Sequence, residues 1–393
     1  MARGYIEKRG ENSWRLVYEA DRTFDGKRNR RLKTIRAQTR KEAEKALSAF
    51  INEIERGHTT DKDNIRFKEL VDIWIRDYAS EQLAPKTFSE HKKRIENRVM
   101  PALGQLRLKE IDGRVLRQYY GSLREPNSRQ DRRKGSLSPR TILHIHRLIS
   151  AILEKAVKWG YIAQNPAKKI EAPKVARQQI KSYDEDNMSK LIAALGTADI
   201  KYRLIIFIAI STGLRRGEIM GLDWSDVNLE NGEINVTKSS QYLPELGVFT
   251  KSPKNEHSVR RVFLSPSVLP LLSKHRAEQD GEREKLGSLW HESGKIFVTW
   301  CGDPMHPDTI SKWFTNFLKR KGLPPVRFHS LRHASASLAI AMGVNVKTVS
   351  SRLGHANIST TMDIYSHALT KPDMEAAQKL DIVFKSKDKP DKD

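Results

Sequence analysis

Cysteine is almost absent from this chain of 393 residues, which contains only Cys301. A single thiol excludes a disulfide framework within the chain. It also argues against zinc or iron–sulfur sites that are built from cysteine ligands. Chains that manage without disulfides are typical of reducing compartments, so we expect a cytoplasmic protein.

Long hydrophobic runs are missing as well. The longest strongly apolar stretch, LIIFIAI at residues 204–210, is much shorter than the about 20 residues that a membrane-spanning helix needs. It is typical of a buried helix instead. The stretch MARGYIEKRG at the N-terminus has no apolar segment of the kind found in secretory signals. We therefore expect no association with a membrane.

Acidic residues are too few to balance the basic ones. Asp and Glu number 48 against 71 Lys and Arg, which gives a formal net charge of +23. Such an excess along the whole chain favours a polyanionic partner, most often a nucleic acid. The alternative is a basic protein without a particular partner, but such a surface binds DNA non-specifically in any case.

Residues 1–58 predict a small module of three strands and one helix. GYIEKRG, SWRLVYEA and RNRRLKTIRA alternate as strands do, with turn-like residues between them. Residues 39–57 have the apolar spacing of an amphipathic helix, and Thr39 with Glu42 forms a capping box at its start. The strands are rich in arginine and lysine, so the sheet is a candidate for insertion into a major groove. A solvated basic face is the alternative.

Residues 64–170 predict a helical domain. One helix covers FKELVDIWIRDYA, and a second covers APKTFSEHKKRIENRVMPALG and is expected to end at Pro101. A third starts at Pro139, with Ser138 as its N-cap. His144 and His146 lie inside this third helix, but residues two apart do not face one another, which argues against a metal pair.

Residues 180–385 begin with a helix in YDEDNMSKLIAAL, and two further helices then flank a glycine. The apolar helix ends at Gly213, and a second helix begins near Arg215. Arg215 and Glu218 are three residues apart and can meet across one turn. An arginine fork matches phosphate oxygens, although an Arg–Glu pair on a helix is by itself more often structural.

A β region follows these helices. EINVTKSSQYLP, GVFTKSPKN and SVRRVFLSP alternate like the strands of one small sheet. Lys251 and Lys254 lie at the tip between the last two strands. A lysine at such a tip is normally only exposed, and it gains a role if the hairpin reaches into a site.

Histidine and arginine concentrate in the later stretch RFHSLRHASA. His329, Arg332 and His333 stand at positions i, i+3 and i+4, so they share one helix face. A zinc-binding HExxH motif has the same histidine spacing, but Ser330 occupies the position of its glutamate. Arg332 would also repel a cation. We therefore expect no metal at this site.

Two further candidates follow within a few turns. A short helix that Gly354 ends presents His355, and another helix, with Ser359 as its cap, carries Tyr365. So many histidine, arginine and tyrosine side chains cannot all be satisfied cheaply in an apolar core. A phosphate accounts for them together: arginines neutralise its oxygens, histidines donate bonds or move a proton, and a tyrosine attacks phosphorus.

The motifs TGLRRGE, SPKNEHSVRRVFL, HSLRH, LGH and TTMDIYSH, in this order, resemble those of tyrosine recombinases, specifically integrases of the phage and conjugative-transposon type. The resemblance implies a mostly α fold with small β-sheets, divided into three domains. These are an α+β arm-binding domain (1–58), an all-α core-binding bundle (64–170) and a mixed α/β catalytic domain with a C-terminal tail (180–385). The implied activity is site-specific integration and excision of a mobile element or prophage.

The same resemblance implies six catalytic residues: Arg215, Lys254, His329, Arg332, His355 and Tyr365. The tyrosine attacks a DNA phosphate to give a 3′-phosphotyrosine, and the two arginines clamp the non-bridging oxygens. Both histidines bond the phosphate, and the first is also a candidate general base. The lysine protonates the leaving 5′-oxygen, with Lys251 as the alternative for that role.

The resemblance also implies the partners. These are double-stranded DNA with core and arm sites, a homo-tetramer on two duplexes, and an excisionase or host DNA-bending factor. No cofactor is implied. The tail after Tyr365 is expected to dock on a neighbouring protomer, or else to pack on its own domain, and its last residues, KSKDKPDKD, are expected to be disordered.

Two other functions stay open. One is a nicking–closing enzyme like a type IB topoisomerase, which would need no arm-binding module. The other is a non-catalytic DNA-binding regulator on the same scaffold, which would predict an incomplete catalytic set. The basic N-terminal module argues against the first, and the complete set of candidate residues argues against the second.

Overall fold

A computed structural model of the chain describes residues 3–20, 29–55, 64–129, 135–176, 183–252, 259–355, 357–365, 377–378 and 380–381. The fold is mostly α with small antiparallel sheets, as the sequence predicts. The chain forms two compact units, Met1–Arg177 and Gln178–Asp393, which are described separately. None of the helices in the described ranges has the length and hydrophobicity needed to cross a membrane.

The first unit begins with the predicted sheet and helix. Three antiparallel strands pair in chain order: β1 (Arg3–Gly10), β2 (Ser13–Ala20) and β3 (Asn29–Arg36). Helix α1 (Arg40–Glu55) packs on them, burying Phe50 beside Leu16 and Tyr18 of β2. The predicted capping box is confirmed, because the Thr39 hydroxyl accepts from Glu42 N and the Glu42 carboxylate accepts from Thr39 N. This module therefore has an apolar core between helix and sheet.

The rest of the first unit is helical and has its own apolar cluster. Its helices are α2 (Phe67–Trp74), α3 (Ser80–Gln82), α4 (Pro85–Arg94), α5 (Met100–Leu103), α6 (Gly113–Ser122) and α7 (Pro139–Lys158). Apolar residues of α2 at helical spacing, Phe67, Leu70 and Trp74, are buried against this cluster, as predicted. Ser138 caps α7 by accepting from Thr141 N, which confirms that start.

The expectation that Pro101 ends the second helix is wrong. A π-helical turn, Ile95–Val99, follows α4, and α5 then continues through Pro101 to Leu103. Proline is tolerated in the first turn of a helical segment, where its missing N–H leaves no required bond unmade. The change in hydrogen-bond pattern at the π turn thus allows the helix to pass the proline.

The second unit buries the apolar run that the sequence singles out. Its first helices are α8 (Glu185–Ala194), α9 (Ile200–Thr212) and α10 (Arg216–Gly221). Leu204, Ile205, Ile206 and Ile208 are all fully buried, which confirms a helix surrounded by protein. Gly213 ends α9 in the left-handed conformation with φ of 67°, and a Cβ there would lie 2.7 Å from Leu353 Cδ2. Glycine is therefore required where α9 turns into α10.

The expectation of one small sheet is wrong in its topology. EINVTKSSQYLP contains two strands, β4 (Glu233–Val236) and β5 (Ser239–Leu243), and they belong to different sheets. β5 pairs with β6 (Gly247–Lys251), and β4 pairs with β7 (Arg260–Phe263). The chain passes from the β4–β7 sheet to the β5–β6 sheet around Lys238, whose ammonium group lies 2.9 Å from the Asp226 carboxylate. Alternation alone predicts one continuous strand, whereas the chain changes sheet beside this partly buried ion pair.

The remaining helices complete the second unit. They are α11 (Leu269–Leu286), α12 (Pro307–Arg320), α13 (Ser330–Ala341), α14 (Val346–Leu353) and α15 (Ile358–Tyr365). Gly354 ends α14 with φ of 65°, as predicted. Ser359 is not the cap of α15, because the side chain of Asn357 accepts from Ser359 N. Asn357 immediately precedes the helix and so holds the N-cap position.

Candidate active site

Arg215 lies at the N-terminus of α10, as the sequence predicts. Its Nη1 donates to Glu218 Oε1 at 2.8 Å, and its backbone N–H donates to Glu218 Oε2 at 2.8 Å. The Arg215 side chain is 40 % exposed. One edge of the guanidinium is thus fixed by protein while the side chain remains accessible to a ligand.

Glu218 is buried between two arginines. Its carboxylate pairs with Arg215 and, on the other side, with Arg260 Nη2 at 2.9 Å. Burial by itself raises the pKa of the carboxyl, but hydrogen bonding and charge from Arg260 and then Arg215 outweigh it. The net pKa is below the ordinary value, so Glu218 carries a negative charge at neutral pH.

Arg332 is almost completely buried, on the first turn of α13. Its Nη1 donates to Gly213 O and its Nη2 to Leu353 O, both at 2.7 Å. These bonds join the end of α9 to the end of α14. Arg332 therefore has a structural role in addition to the phosphate contact that the resemblance implies.

His329 and His333 lie together at the start of α13. Their rings meet edge to face, with centroids 5.1 Å apart. His329 is exposed as a residue, yet desolvation of its ring and the charges of Arg332 and Arg215 lower its pKa. Burial and the neighbouring His329 lower the pKa of His333 to about 4. His333 is thus neutral at pH 7.

His355 follows Gly354 and is half-buried. Its Nδ1 lies 2.8 Å from the hydroxyl of Thr361, a fully buried residue of α15. Burial lowers the pKa of His355 to about 4, with further contributions from the charges of Arg332 and Arg215. The ring is therefore neutral at pH 7 and fixed by its neighbour.

Four of the six predicted residues converge at the end of α14. Arg332 bonds Leu353 O, and Arg215 Nη2 lies 3.5 Å from Gly354 O. His355 is the next residue along the chain, and His329 is close enough for both guanidinium charges to affect its pKa. Two guanidinium groups beside two histidines of lowered pKa can bind a tetrahedral anion and accept or donate a proton at it.

Of the other two predicted residues, the structure describes only the backbone of Tyr365. Lys254 lies outside the described residues, and its alternative, Lys251, is the half-buried last residue of β6. Tyr365 is the last residue of α15, and its side chain lies outside the described part of the chain. The disordered tail predicted at residues 385–393 also falls outside it, as does nearly all of the segment predicted to dock.

Sequence reasoning missed Arg260. Its side chain is only 6 % exposed and bonds both Glu218 and the backbone carbonyl of Arg352. The available signal was strand alternation, because Arg260 shares the inward face of β7 with the buried Val262. An arginine on a core-facing strand position requires a buried partner.

Within the described residues, one group could supply three metal ligands: His291, Cys301 and Asp303. It includes neither His329 nor His333. His291 Nδ1 lies 3.0 Å from one oxygen of Asp303, and the Cys301 thiol donates to the other at 3.4 Å. These hydrogen bonds account for the grouping of the three exposed or half-exposed side chains.

Comparison with known proteins gives consistent matches along the chain. The profile of the Phage integrase family matches residues 181–371, and that of the Phage integrase, N-terminal SAM-like domain matches residues 66–124. A Tyrosine recombinase XerC-like protein of Caldanaerobacter subterraneus subsp. tengcongensis is 29% identical over 96% of this chain and 98% of its own length. A Tyrosine recombinase of Thermosipho africanus is 30% identical over 56% of this chain and 69% of its own.

A solved structure matches the fold. The Tn1549 transposon integrase, in complex with a circular intermediate DNA, aligns with a TM-score of 0.66 at 18% identity. The alignment covers 81% of this chain and 100% of that one. The arrangement of helices and small sheets described above therefore occurs in a protein of known structure.

Proposed function

Because this chain belongs to the phage integrase family of tyrosine recombinases and is a site-specific DNA recombinase, we propose that it cuts and rejoins DNA through a 3′-phosphotyrosine on Tyr365. The observation that carries the proposal is the convergence of Arg215, Arg332 and His355 at the end of α14. Tyr365 closes the next helix, which is bound to the site through Thr361 and His355.

The arginines bind the phosphate in this scheme. Two guanidinium groups neutralise the non-bridging oxygens and the charge that grows on them as the tyrosine attacks. No metal ion or cofactor is part of the scheme, since the arginines supply the positive charge. Glu218 and the carbonyls of Gly213 and Leu353 hold the two forks in place.

The histidines move and donate protons. His329 accepts the proton of the Tyr365 hydroxyl, which a neutral imidazole can do. His355 Nδ1 lies 2.8 Å from the Thr361 hydroxyl. In this scheme the hydroxyl donates to Nδ1, so that the ring proton is on Nε2 and is donated to a phosphate oxygen. The bond from phosphorus to the tyrosine oxygen forms as the bond to the 5′-oxygen breaks. Lys254, or else Lys251, protonates that leaving oxygen.

Rejoining reverses the same steps on a second duplex. A 5′-hydroxyl of the partner strand attacks the phosphotyrosine, so the energy of the phosphodiester is retained and no nucleotide is consumed. Four strands must be cut in two duplexes, which calls for four protomers. The N-terminal sheet module (1–58) would bind arm sites, the helical domain (64–170) the core site, and the catalytic domain (180–385) would cut. An excisionase or a host DNA-bending factor would set direction, in the cytoplasm.

The replacement Tyr365→Phe tests this proposal. The probe is a duplex selected from a random-sequence pool by covalent attachment to the wild-type protein. We expect Tyr365→Phe to form no covalent adduct on a denaturing gel while its affinity for the duplex is unchanged, because only the nucleophilic oxygen is lost.

The matched control is Tyr242→Phe, which removes a hydroxyl from a partly exposed tyrosine of β5. It should attach to the duplex like the wild type. Attachment by Tyr365→Phe would exclude that residue as the nucleophile. Relaxation of any supercoiled plasmid without preference for the selected site would instead favour a nicking–closing enzyme.

A further inference from the structure

Arg260 is a buried arginine to which the proposed mechanism gives no role. Its guanidinium bonds both oxygens of Glu218, at 2.9 and 3.3 Å, and its Nε donates to Arg352 O at 2.7 Å. It also lies so close to the backbone of Gly354 that a Cβ there would be 2.9 Å from Arg260 Nη1. The Arg260 side chain is 6 % exposed, and the bonds named above all join it to protein groups.

Three successive carbonyls at the end of α14 each accept a hydrogen bond from a different arginine. The pairs are Arg260 Nε to Arg352 O at 2.7 Å, Arg332 Nη2 to Leu353 O at 2.7 Å, and Arg215 Nη2 to Gly354 O at 3.5 Å. The last carbonyls of a helix lack partners within the helix, and they attract positive groups. The end of α14 is thus bound by the two arginines of the proposed chemistry and by Arg260.

Glu218 connects two of these arginines. A buried carboxylate beside Arg215 would compete with a DNA phosphate for the guanidinium and would repel the phosphate charge. Arg260 supplies a second positive charge to Glu218 and so balances it. Arg215 can then be held by Glu218 without losing its attraction for a phosphate.

We propose that Arg260 is a positioning residue of strand cleavage, which fixes the Arg215 fork through Glu218 and fixes His355 through the end of α14. This rests on the proposed function of the site. Arg260 touches no substrate, and it acts by holding two catalytic groups in one geometry. We expect this positioning to raise the cleavage rate strongly, because small displacements of catalytic groups lower reaction rates by large factors.

Arg260→Gln tests the proposal, with Arg261→Gln as its control. Arg261 is the next residue of β7, but its side chain is 74 % exposed and pairs with Glu233 at the surface. The probe is the duplex selected with the wild-type protein, used at saturating protein in single-turnover cleavage. We expect Arg260→Gln to slow covalent attachment about 100-fold with duplex affinity unchanged, and Arg261→Gln to match the wild type.

A second probe separates positioning from a general structural defect. It carries a methylphosphonate at the cleaved linkage and so lacks the negative charge that Arg215 must attract. The loss caused by Arg260→Gln should shrink on this probe, because balancing Glu218 matters less there. A general defect would slow both probes equally.

Arg260→Lys guards against misfolding, since it keeps a positive charge beside Glu218 but loses the fork and the bond to Arg352 O. We expect an intermediate cleavage rate in a protein that still unfolds cooperatively and has the circular dichroism spectrum of the wild type. If Arg260→Gln does not fold, this variant decides. Wild-type rates in Arg260→Lys, or equal slowing of both probes by Arg260→Gln, overturn the proposal. Failure of the wild type to attach to any duplex would instead refute the proposed function.

Discussion

Individual histidines of this site are kept neutral by their surroundings. His333 and His355 both have a pKa of about 4, against an ordinary value of 6.5, because burial and nearby positive charge penalise the protonated ring. Neutral imidazole can accept or donate a hydrogen bond at a phosphate that two arginines already bind. Burial and neighbouring charges thus set the protonation state of these histidines before DNA binds.

These pKa values predict a pH dependence of stability. The unfolded chain takes up protons on His333 and His355 near pH 6.5, whereas the folded chain does so only near pH 4. Protonation therefore favours unfolding. The contribution of these two histidines to the free energy of unfolding is fully present above pH 6.5 and is lost as the pH falls toward 4. His333→Gln removes one such group, so its unfolding midpoint in urea should fall less between pH 7 and 4.5 than that of the wild type. Parallel falls in the two proteins would contradict the prediction.

Among the elements, α14 contributes its C-terminal end to the site. Gly354 there adopts φ of 65°, and its backbone lies directly against Arg260. A side chain at this position meets both backbone strain and a steric contact. The position of His355 depends on this turn, because it is the residue that follows.

Gly354→Ala should therefore destabilise the protein by about 1–2 kcal/mol from backbone strain, and further from the contact with Arg260. Gly343→Ala is the control, since Gly343 has φ of 83° but a Cβ added there would meet no atom of the described residues within 4 Å. Urea unfolding of both variants measures the difference, and cleavage of the selected duplex measures the displacement of His355. Equal losses in the two variants would mean that the contact with Arg260 costs nothing.

At the scale of the whole molecule, the first unit contains two separate apolar regions. One lies between the N-terminal sheet and α1, and the other among the helices from α2 to α7. Each buries its own aromatic residues, Trp14 and Phe50 in the first and Trp74 in the second. The division into arm-binding and core-binding domains stays a prediction, and these clusters support it.

Deletion of residues 1–58 tests that division. The shortened protein should still attach covalently to the selected duplex, because the helices and the catalytic site keep their own cores. It should fail to integrate a plasmid that carries the full recombination site, since arm sites would no longer be bound. Integration at the wild-type level by a shortened protein with an unchanged circular dichroism spectrum would show that the module has another function.

Much of the local structure was predictable from sequence because its signals are short-range. Apolar periodicity placed α1 and α2, and the continuous apolar run placed the buried α9. The cap at Ser138 marked the start of α7, and glycines marked the ends of α9 and α14. Three predictions were wrong because the local signal, a proline, a candidate N-cap or a strand-like alternation, is compatible with more than one structure. The helix continues through Pro101 after a π turn, and Asn357 rather than Ser359 caps α15. The predicted strand around Lys238 is divided between two sheets, and Lys238 forms an ion pair with Asp226.

The sequence by itself determined the elements, the excess of positive charge and the ordered motifs that carry the resemblance. Only the tertiary structure decided how these groups meet. Arg260 and Arg352 are 92 positions apart, Arg332 and Gly213 are 119 apart, and Arg215 lies 139 positions from Gly354. Packing of whole helices and strands sets such contacts, so the burial of Arg332 and the involvement of Arg260 follow from the fold and not from any local pattern.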